Sequence, residues 1–203
     1  ISVYEVQQGT MAENNVYKGL ILREEQVYYS NYTGAVNFYV KEASRVSANN
    51  LVYSIDENGD ISQKIQEASQ DVSVLESGDL SEIEESIYDF QSSYDAQSYY
   101  NVYAFKENID SALNEALNLK ALNSLSDYTT SAQASNTFHL ISSDRPGIVV
   151  YYSDGYEGVT TETFTADMFN ESSYTRTSSQ NSLSVDSGSP VYKLITSEYW
   201  NIV

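Results

Sequence analysis

Two segments far apart in the chain share one order of features, and this internal repeat constrains the fold more than any other property of the sequence. Residues 34–39 (GAVNFY) match residues 147–152 (GIVVYY), and residues 46–55 (VSANNLVYSI) match residues 185–194 (VDSGSPVYKL). Each segment places a glycine before a short β-branched and aromatic strand, and a turn before a second strand. We interpret the segments as two halves of one β-domain. The alternative is a chance similarity between two β-hairpins.

The stretch between the two halves has a helical pattern instead. Residues 61–128 contain no proline and one glycine, and their apolar residues recur at steps of three and four. A short first helix is followed by two longer apolar stripes: Leu80, Ile83, Ile87, Phe90 and Tyr94, then Val102, Phe105, Ile109, Ala112, Ala116 and Leu119. The spacing predicts two long helices, and Asp79 and Ser81 are candidate N-caps for the first of them.

We expect the two long helices to pack as an antiparallel hairpin with its apex between Asp95 and Asn101. The second helix, from about residue 101 to 126, would be about 40 Å long at the usual rise per residue. A helix of that length does not fit inside a small β-domain, so the hairpin should project from it.

Charge and rare residue types exclude several classes of function. The 203 residues include 29 acidic and 10 basic side chains, for a net charge of −19, so a nucleic-acid binder, which needs a basic face, is excluded. The absence of cysteine excludes disulfides and thiolate chemistry, and the single histidine, His139, excludes most catalytic triads.

An acidic run lies in the helical stretch. Lys64 is the only basic residue among eleven acidic residues between Asp56 and Asp89. We interpret this run as a solvated helix face, with a docking surface for a basic partner as the alternative.

No pattern in the sequence indicates catalysis or metal binding. Residues 56–67 place oxygen ligands at the spacing of a calcium loop, but Ile61 stands where such a loop needs glycine. No Gly-x-Ser-x-Gly elbow accompanies His139 and the serines that follow it. We therefore predict a protein that is not an enzyme, with no catalytic, cofactor-binding or metal-ligating residue.

Tyrosines gather near the expected apex of the hairpin. The candidate partner-contact residues are Tyr94, Tyr99, Tyr100 and Tyr103, because exposed aromatic side chains at a tip are expected where something binds. The alternative is that they pack the end of the hairpin while their hydroxyls reach water.

The order of β-half, helix pair and β-half resembles that of HlyD-type membrane fusion proteins, also called periplasmic adaptor subunits. Residues 16–25 (VYKGLILREE) resemble the first strand of that family's barrel-sandwich hybrid domain. Residues 34–42 (GAVNFYVKE) with Arg45-Val46, and residues 147–158 (GIVVYYSDGYEG), resemble its two lipoyl-like half-motifs. Residues 188–195 (GSPVYKLI) resemble the strand that leads toward a following β-barrel.

The sequence departs from the family at two turns and at the carrier position. Ala43-Ser44 stands where the family usually has Gly-Asp, and Asn49 stands where it usually has glycine. True lipoyl and biotinyl carriers present a modified lysine on the turn that joins the two halves. Here the helical stretch replaces that turn, so we predict no covalent cofactor.

The resemblance implies an α+β fold, namely a split lipoyl-like β-sandwich (a barrel-sandwich hybrid) with an inserted antiparallel α-helical hairpin. The expected organisation is the first part of the β-domain at 1–60, with the first lipoyl-like half at 30–56, the hairpin at 61–136, the second part of the β-domain at 137–195, and the start of a truncated β-barrel at 196–203.

The resemblance also implies a non-enzymatic adaptor on the periplasmic or extracellular face of the cytoplasmic membrane, anchored by a segment upstream of Ile1. Its partners would be a membrane transporter, as in secretion or efflux, or another envelope complex, and the full-length protein would be a homo-oligomer. The alternative function is a cell-surface binding module that uses the Tyr-rich helical region to contact a glycan or a peptide.

Overall fold

The computed structural model describes Tyr17, residues 19–96 and 99–170, Ser172 and residues 174–203. The strands are β1 (Ile21–Tyr29), β2 (Gly34–Phe38), β3 (Arg45–Val46), β4 (Leu51–Asp56), β5 (Phe138–Ser142), β6 (Gly147–Val150), β7 (Tyr152–Ser153), β8 (Thr177–Ser178), β9 (Ser184–Val185) and β10 (Pro190–Ile202). The helices are α1 (Asp60–Ala68), α2 (Ser77–Ser93), α3 (Tyr99–Ser124) and α4 (Ser126–Ala134), with short 3₁₀ turns at Val72–Val74, Ala166–Phe169 and Ser179–Asn181.

Strands from both halves of the sequence repeat form both main sheets. One sheet has the strand order β1-β10-β6-β3 and the other has the order β5-β4-β2-β9, with a small third sheet of β7 and β8. Strands β1 to β4 precede the helices in the chain and the remaining strands follow them. Neither half therefore forms a main sheet of its own, and the fold is α+β with one β-domain made from two chain segments.

The register of these strands repeats from one half to the other. Within the first half Val36 lies opposite Ile55, and within the second half Val149 lies opposite Leu194. These are the pairs that the sequence alignment of the two halves makes equivalent. The contacts between halves are reciprocal as well, since β2 pairs with β9 and β6 pairs with β3. The internal repeat is thus a structural repeat, and the alternative of unrelated hairpins is wrong.

The two glycines that open the repeat are both needed for close backbone approach. A Cβ at Gly34 would lie 2.4 Å from the carbonyl oxygen of Asp56, and one at Gly147 would lie 3.0 Å from that of Ile195. Asp56 and Ile195 follow directly after the aligned segments, so the same contact occurs in both halves. Glycine is required because any side chain would push the first strand of each half away from its partner.

One hydrophobic core lies between the two sheets, and both halves supply it. Its buried residues include Val36, Phe38, Val52 and Ile55 from the first half and Val149, Tyr151, Val191 and Leu194 from the second. A second, smaller cluster attaches the helices, with Ile61, Ile65, Ala121 and Leu122 packed against Tyr39 and Phe138. The β-domain therefore anchors α1 and the last turns of α3, while α2 belongs to neither cluster.

Helix α1 is capped by a side chain from the preceding strand, and the cap of α2 differs from the prediction. The buried Asp56 carboxylate accepts backbone N–H groups of Ile61 and Ser62 at 2.7 and 2.9 Å, so it caps α1 from the preceding strand. The N-cap of α2 is Glu76, which forms a capping box with Asp79. The prediction of Asp79 or Ser81 as N-cap was therefore wrong: Asp79 is the third helical residue, where its carboxylate accepts the Glu76 N–H.

Other boundaries also differ from the prediction. The expected second long helix ends at Ser124, and after Leu125 a further helix, α4, runs to Ala134. Tyr17 lies outside any strand, and Val16 and Lys18, which were expected to join a first strand there, lie outside the described residues. Among the described residues, no helix combines the length and apolar character needed to cross a membrane.

Candidate functional site

Helices α2 and α3 touch at both of their ends. Near the end of α2, the Phe90 ring stacks on Phe105 near the start of α3, with ring centroids 4.0 Å apart. At the opposite end, the Lys120 ammonium on α3 lies 3.2 Å from Glu76 and 3.3 Å from Asp79 at the start of α2. The end of each helix thus lies beside the beginning of the other.

The interface between these helices is shallow. The residues predicted to form it on α3, Phe105, Ile109, Ala112 and Ala116, are half-buried, as are Ile83, Ile87 and Phe90 on α2, while Leu80 is 45% exposed. No described side chain of α2 is fully buried, and none in residues 99–114 of α3 is either. We call α2 together with residues 99–114 the outer helical region.

The candidate tyrosines lie where α2 ends and α3 begins. Tyr94 follows the last residue of α2, packs edge-on against Phe90, and is 56% exposed. Tyr99 and Tyr103 are 75% and 72% exposed on the first turns of α3. Gln97 and Ser98, which fall within the expected apex, lie outside the described residues, as does the side chain of Tyr100. The described tyrosines therefore present aromatic surface to solvent around one end of the outer helical region.

A polar seam between α3 and the β-domain was not foreseen from the sequence. Glu107, Ser111 and Glu115 repeat every four residues along one face of α3, where such residues line up. Glu107 accepts a hydrogen bond from the Tyr152 hydroxyl at 2.7 Å. Glu115 accepts hydrogen bonds from the Ser111 hydroxyl at 2.7 Å and from the Gln180 amide. The spacing could have shown that the three residues share a face, but not that this face meets the β-domain.

Glu115 is an unusual member of this seam, because it is a carboxylate that is only 4% exposed. Its Oε2 atom has no hydrogen-bond partner among the described residues. The pKa of Glu115 is raised to about 7, chiefly by burial and also by the nearby Glu42 carboxylate, while the hydrogen bonds from Ser111 and Gln180 act in the opposite direction. The Glu115 carboxyl group, which lies toward the base of α3, is therefore partly protonated and neutral near neutral pH.

A groove of about 1300 Å³ opens beside this seam. Residues of α1, α3 and β2 line it, together with Ser178 and residues 180–183. Glu107, Ser111 and Glu115 all line it, and Tyr103 lies at its outer end. We refer to this space as the α1–α3 groove.

The residues considered for metal or catalytic chemistry have structural partners instead. Asp56 is the first residue of the calcium-like spacing, and its carboxylate accepts hydrogen bonds from backbone N–H groups at the start of α1. The His139 Nε2 lies 2.7 Å from Glu57 Oε1, and its ring stacks on Tyr32. In the described part of the chain, no group of three or more histidine or acidic side chains is arranged to hold a metal ion.

Comparison with known proteins identifies the β-domain. The family model described as "RND related, barrel-sandwich hybrid domain" matches residues 25–196, which is most of the chain. Among solved structures, a membrane fusion protein from Streptococcus pneumoniae R6 matches with 14% identity and a TM-score of 0.26, over 91% of this chain and 67% of that chain. No protein with a curated description matches the sequence.

Proposed function

The chain belongs to the family of RND-related barrel-sandwich hybrid domains, and from that premise we propose that it is part of a membrane-fusion-type adaptor. The adaptor works outside the cytoplasmic membrane, anchored by another segment of the full-length protein, and joins a membrane transporter or an envelope complex. The observation that carries the proposal is the family match over residues 25–196, which includes both halves of the β-domain and everything between them.

Within this proposal, α2 and α3 are the two arms of an antiparallel hairpin inserted into the β-domain. The proposal is supported by the stacked Phe90 and Phe105 rings at one end and by the contact of Lys120 with Glu76 at the other. The apolar attachment of the hairpin to the β-domain is at its base, through Ala121 and Leu122 of α3. Hydrogen bonds from Lys41 to Ser86 and from Tyr152 to Glu107 hold the two arms beside the β-domain. Tyr94 and Tyr99 lie about two helical turns beyond these contacts, so the tip can meet a partner.

The tip of that hairpin is the proposed contact surface for the next component of the assembly. Its candidate residues are Tyr94, Tyr99, Tyr100 and Tyr103. Of these, Tyr94, Tyr99 and Tyr103 are more than half exposed to solvent. Tyrosine suits this role because it buries a large apolar area on binding at a low cost in side-chain entropy. Self-association of the full-length protein would place several such tips side by side.

The adaptor role is tested by isolating the tagged full-length protein from membranes in a mild detergent. We expect a membrane transporter to co-isolate in a fixed ratio to the tagged protein and to remain bound through gel filtration. A full-length protein that elutes without any membrane-protein component, while folded and membrane-bound, contradicts the adaptor role.

The tip contact is tested separately by complementing a deletion of the gene. We expect the double variant Tyr99→Ser and Tyr103→Ser to accumulate and fold normally, because exposed substitutions usually change stability by less than about 0.5 kcal/mol. It should fail to restore the deletion phenotype. The control is Tyr199→Ser, at an exposed tyrosine on β10 rather than on the helices, which should complement fully. Full complementation by the double variant contradicts the contact and leaves the adaptor role standing.

A further inference from the structure

The two helix walls of the α1–α3 groove are polar, although these helices belong to one hydrophobic cluster. The helices meet through Ile61 and Ile65 on one side and Ala121 and Leu122 on the other. Away from that contact, the facing walls carry hydroxyl and amide side chains: Ser62, Gln63 and Gln66 on α1, and Ser111, Asn114 and Asn118 on α3. Apolar burial does not drive such walls together, so the space stays open to a polar ligand.

The groove is also acidic along its length. Glu107, Asp110 and Glu115 follow one another on the α3 wall, and Glu67 lies on the α1 wall. Lys106 is the only basic side chain among the described residues that line the groove. From Glu107 to Glu115 the helix rises about 12 Å. In a chain of net charge −19, a cleft with this lining concentrates cations.

Glu115 supplies a second and independent sign of a missing ligand. Its carboxylate is 4% exposed, and Oε2 lacks any donor among the described residues. A buried charged oxygen without a partner is costly, and the cost is removed by a donor that carries positive charge. The Gln180 amide, which now donates to Oε1, itself belongs to the groove lining, so an entering ammonium group can take its place.

The outer end of the groove offers a complementary feature for the same ligand. The Tyr103 ring lines the groove and is 72% exposed. The face of an exposed aromatic ring attracts an ammonium group through its quadrupole. An aromatic ring at one end and a buried carboxylate at the other therefore bracket the acidic wall.

We propose that the α1–α3 groove binds a linear polyamine, a flexible chain of methylene groups that carries several ammonium groups. One terminal ammonium takes the place of the Gln180 amide and donates to both carboxylate oxygens of Glu115, so that Oε2 gains the donor it lacks. The others pair with Asp110 and Glu107, and the methylene segments lie along the amide-lined walls. The roughly 12 Å rise between Glu107 and Glu115 suits a linear chain with three or four nitrogens.

Binding of this ligand is coupled to a proton. An ammonium beside Glu115 favours the ionised carboxylate, which the empty site disfavours, so complex formation near neutral pH releases a proton. The other titratable groups near Glu115 are Glu42 and Lys41 from the loop after β2, Tyr151 after β6, and Glu107 and Asp110 on its own helix. Affinity should therefore rise between pH 6 and pH 8, where the polyamine itself remains charged.

The test is a calorimetric titration of the 203-residue chain with spermine at pH 8 and low salt. We expect saturable binding at one site, weakened about tenfold or more, equivalent to about 1.4 kcal/mol, by Glu115→Gln and by Asp110→Asn. The matched control is Glu84→Gln, which removes one exposed carboxylate from α2 and should change the affinity less than twofold. Repeating the titration at pH 7 in two buffers with different ionisation enthalpies should detect proton release in the parent chain but not in Glu115→Gln.

Three outcomes overturn the proposal. Binding that does not saturate means that there is no site. Equal weakening by Glu84→Gln and by Glu115→Gln means diffuse counterion binding to an acidic protein. Glu115-dependent binding of a trilysine peptide without binding of spermine assigns the groove to a basic peptide instead.

Discussion

The β-domain and the outer helical region differ in how far their side chains are removed from water. In the β-domain, Val52, Ile55, Val149 and Leu194 have no exposed surface. In the outer helical region, no described side chain is fully buried, and the contacts are half-buried rings, a capping box and ion pairs near the surface. Local stability follows buried apolar area, so we expect the outer helical region to open at a lower free-energy cost than the β-domain.

The largest expected effects come from the equivalent core positions of the two halves. Ile55→Ala and Leu194→Ala should each lower the free energy of unfolding by about 2–5 kcal/mol, because each leaves a cavity in the same core. Chemical denaturation should give a single transition for both variants. Leu183→Ala, at an 83% exposed position, is the control and should change stability by less than about 0.5 kcal/mol. A second transition in either core variant would show that the halves unfold separately.

The next largest effect is the pH dependence of stability caused by Glu115, which lies where α3 meets the β-domain. The folded-state pKa of Glu115 is raised, so the stability associated with its neutral form is present below the unfolded-state pKa and is lost as the pH rises through about 7. Glu115→Gln should therefore leave stability near pH 4.5 almost unchanged and raise it at pH 8 by about 1–3 kcal/mol. Denaturation curves across this pH range measure the difference between the two proteins. A variant that is less stable than the parent chain at pH 8 contradicts this account of the buried carboxylate.

A smaller effect is expected in the outer helical region. Ile87→Ala removes a half-buried side chain between α2 and α3, so the cost should be about 1 kcal/mol, below the range for a fully buried site. Hydrogen exchange should show faster opening of α2 while the strands of the β-domain keep their protection. A loss of 3 kcal/mol or more in global stability would mean that the two regions unfold together.

The smallest expected effect is a difference in stability between glycine substitutions at two turns in the first half of the β-domain. Ala43 and Asn49 both adopt a left-handed backbone, with φ of 63° and 71°, and both stand where the resembled family usually has glycine. Alanine is strained in this conformation and asparagine tolerates it. Ala43→Gly should stabilise the protein by up to about 1 kcal/mol, and Asn49→Gly should have almost no effect. Thermal melts of the two variants side by side provide the measurement, and a lower melting temperature for Ala43→Gly contradicts the strain argument.

The sequence carried more information about the β-domain than about the helices. The aligned halves predicted equivalent positions such as Val36 and Val149, because a strand repeat fixes which residues face the core. The helical stripe predicted that Ile87 and Phe105 would face a neighbouring helix, but not how shallow that contact is. It also missed the buried end of α3, where Leu117, Ala121 and Leu122 pack away from water. Burial there depends on the position of the β-domain, which periodicity alone does not encode.

The site was less predictable than the fold for a related reason. The tyrosines of the proposed tip were visible as a local cluster in the sequence. The α1–α3 groove, by contrast, combines residues from α1, α3, β2 and the segment around Gln180, and no local pattern connects Glu115 with Gln180, 65 residues away. The signal available in the sequence was the repetition of Glu107, Ser111 and Glu115 at steps of four.

Native-state hydrogen exchange tests the central claim most directly, namely that two chain segments form one β-domain carrying a less stable outer helical region. We expect the amides of β4 and β10 to exchange with the same free energy, equal to that of global unfolding, since both halves fill one core. Amides in the middle of α2 should exchange with a free energy lower by several kcal/mol. Different free energies for β4 and β10, or protection of α2 equal to that of the strands, would contradict the account.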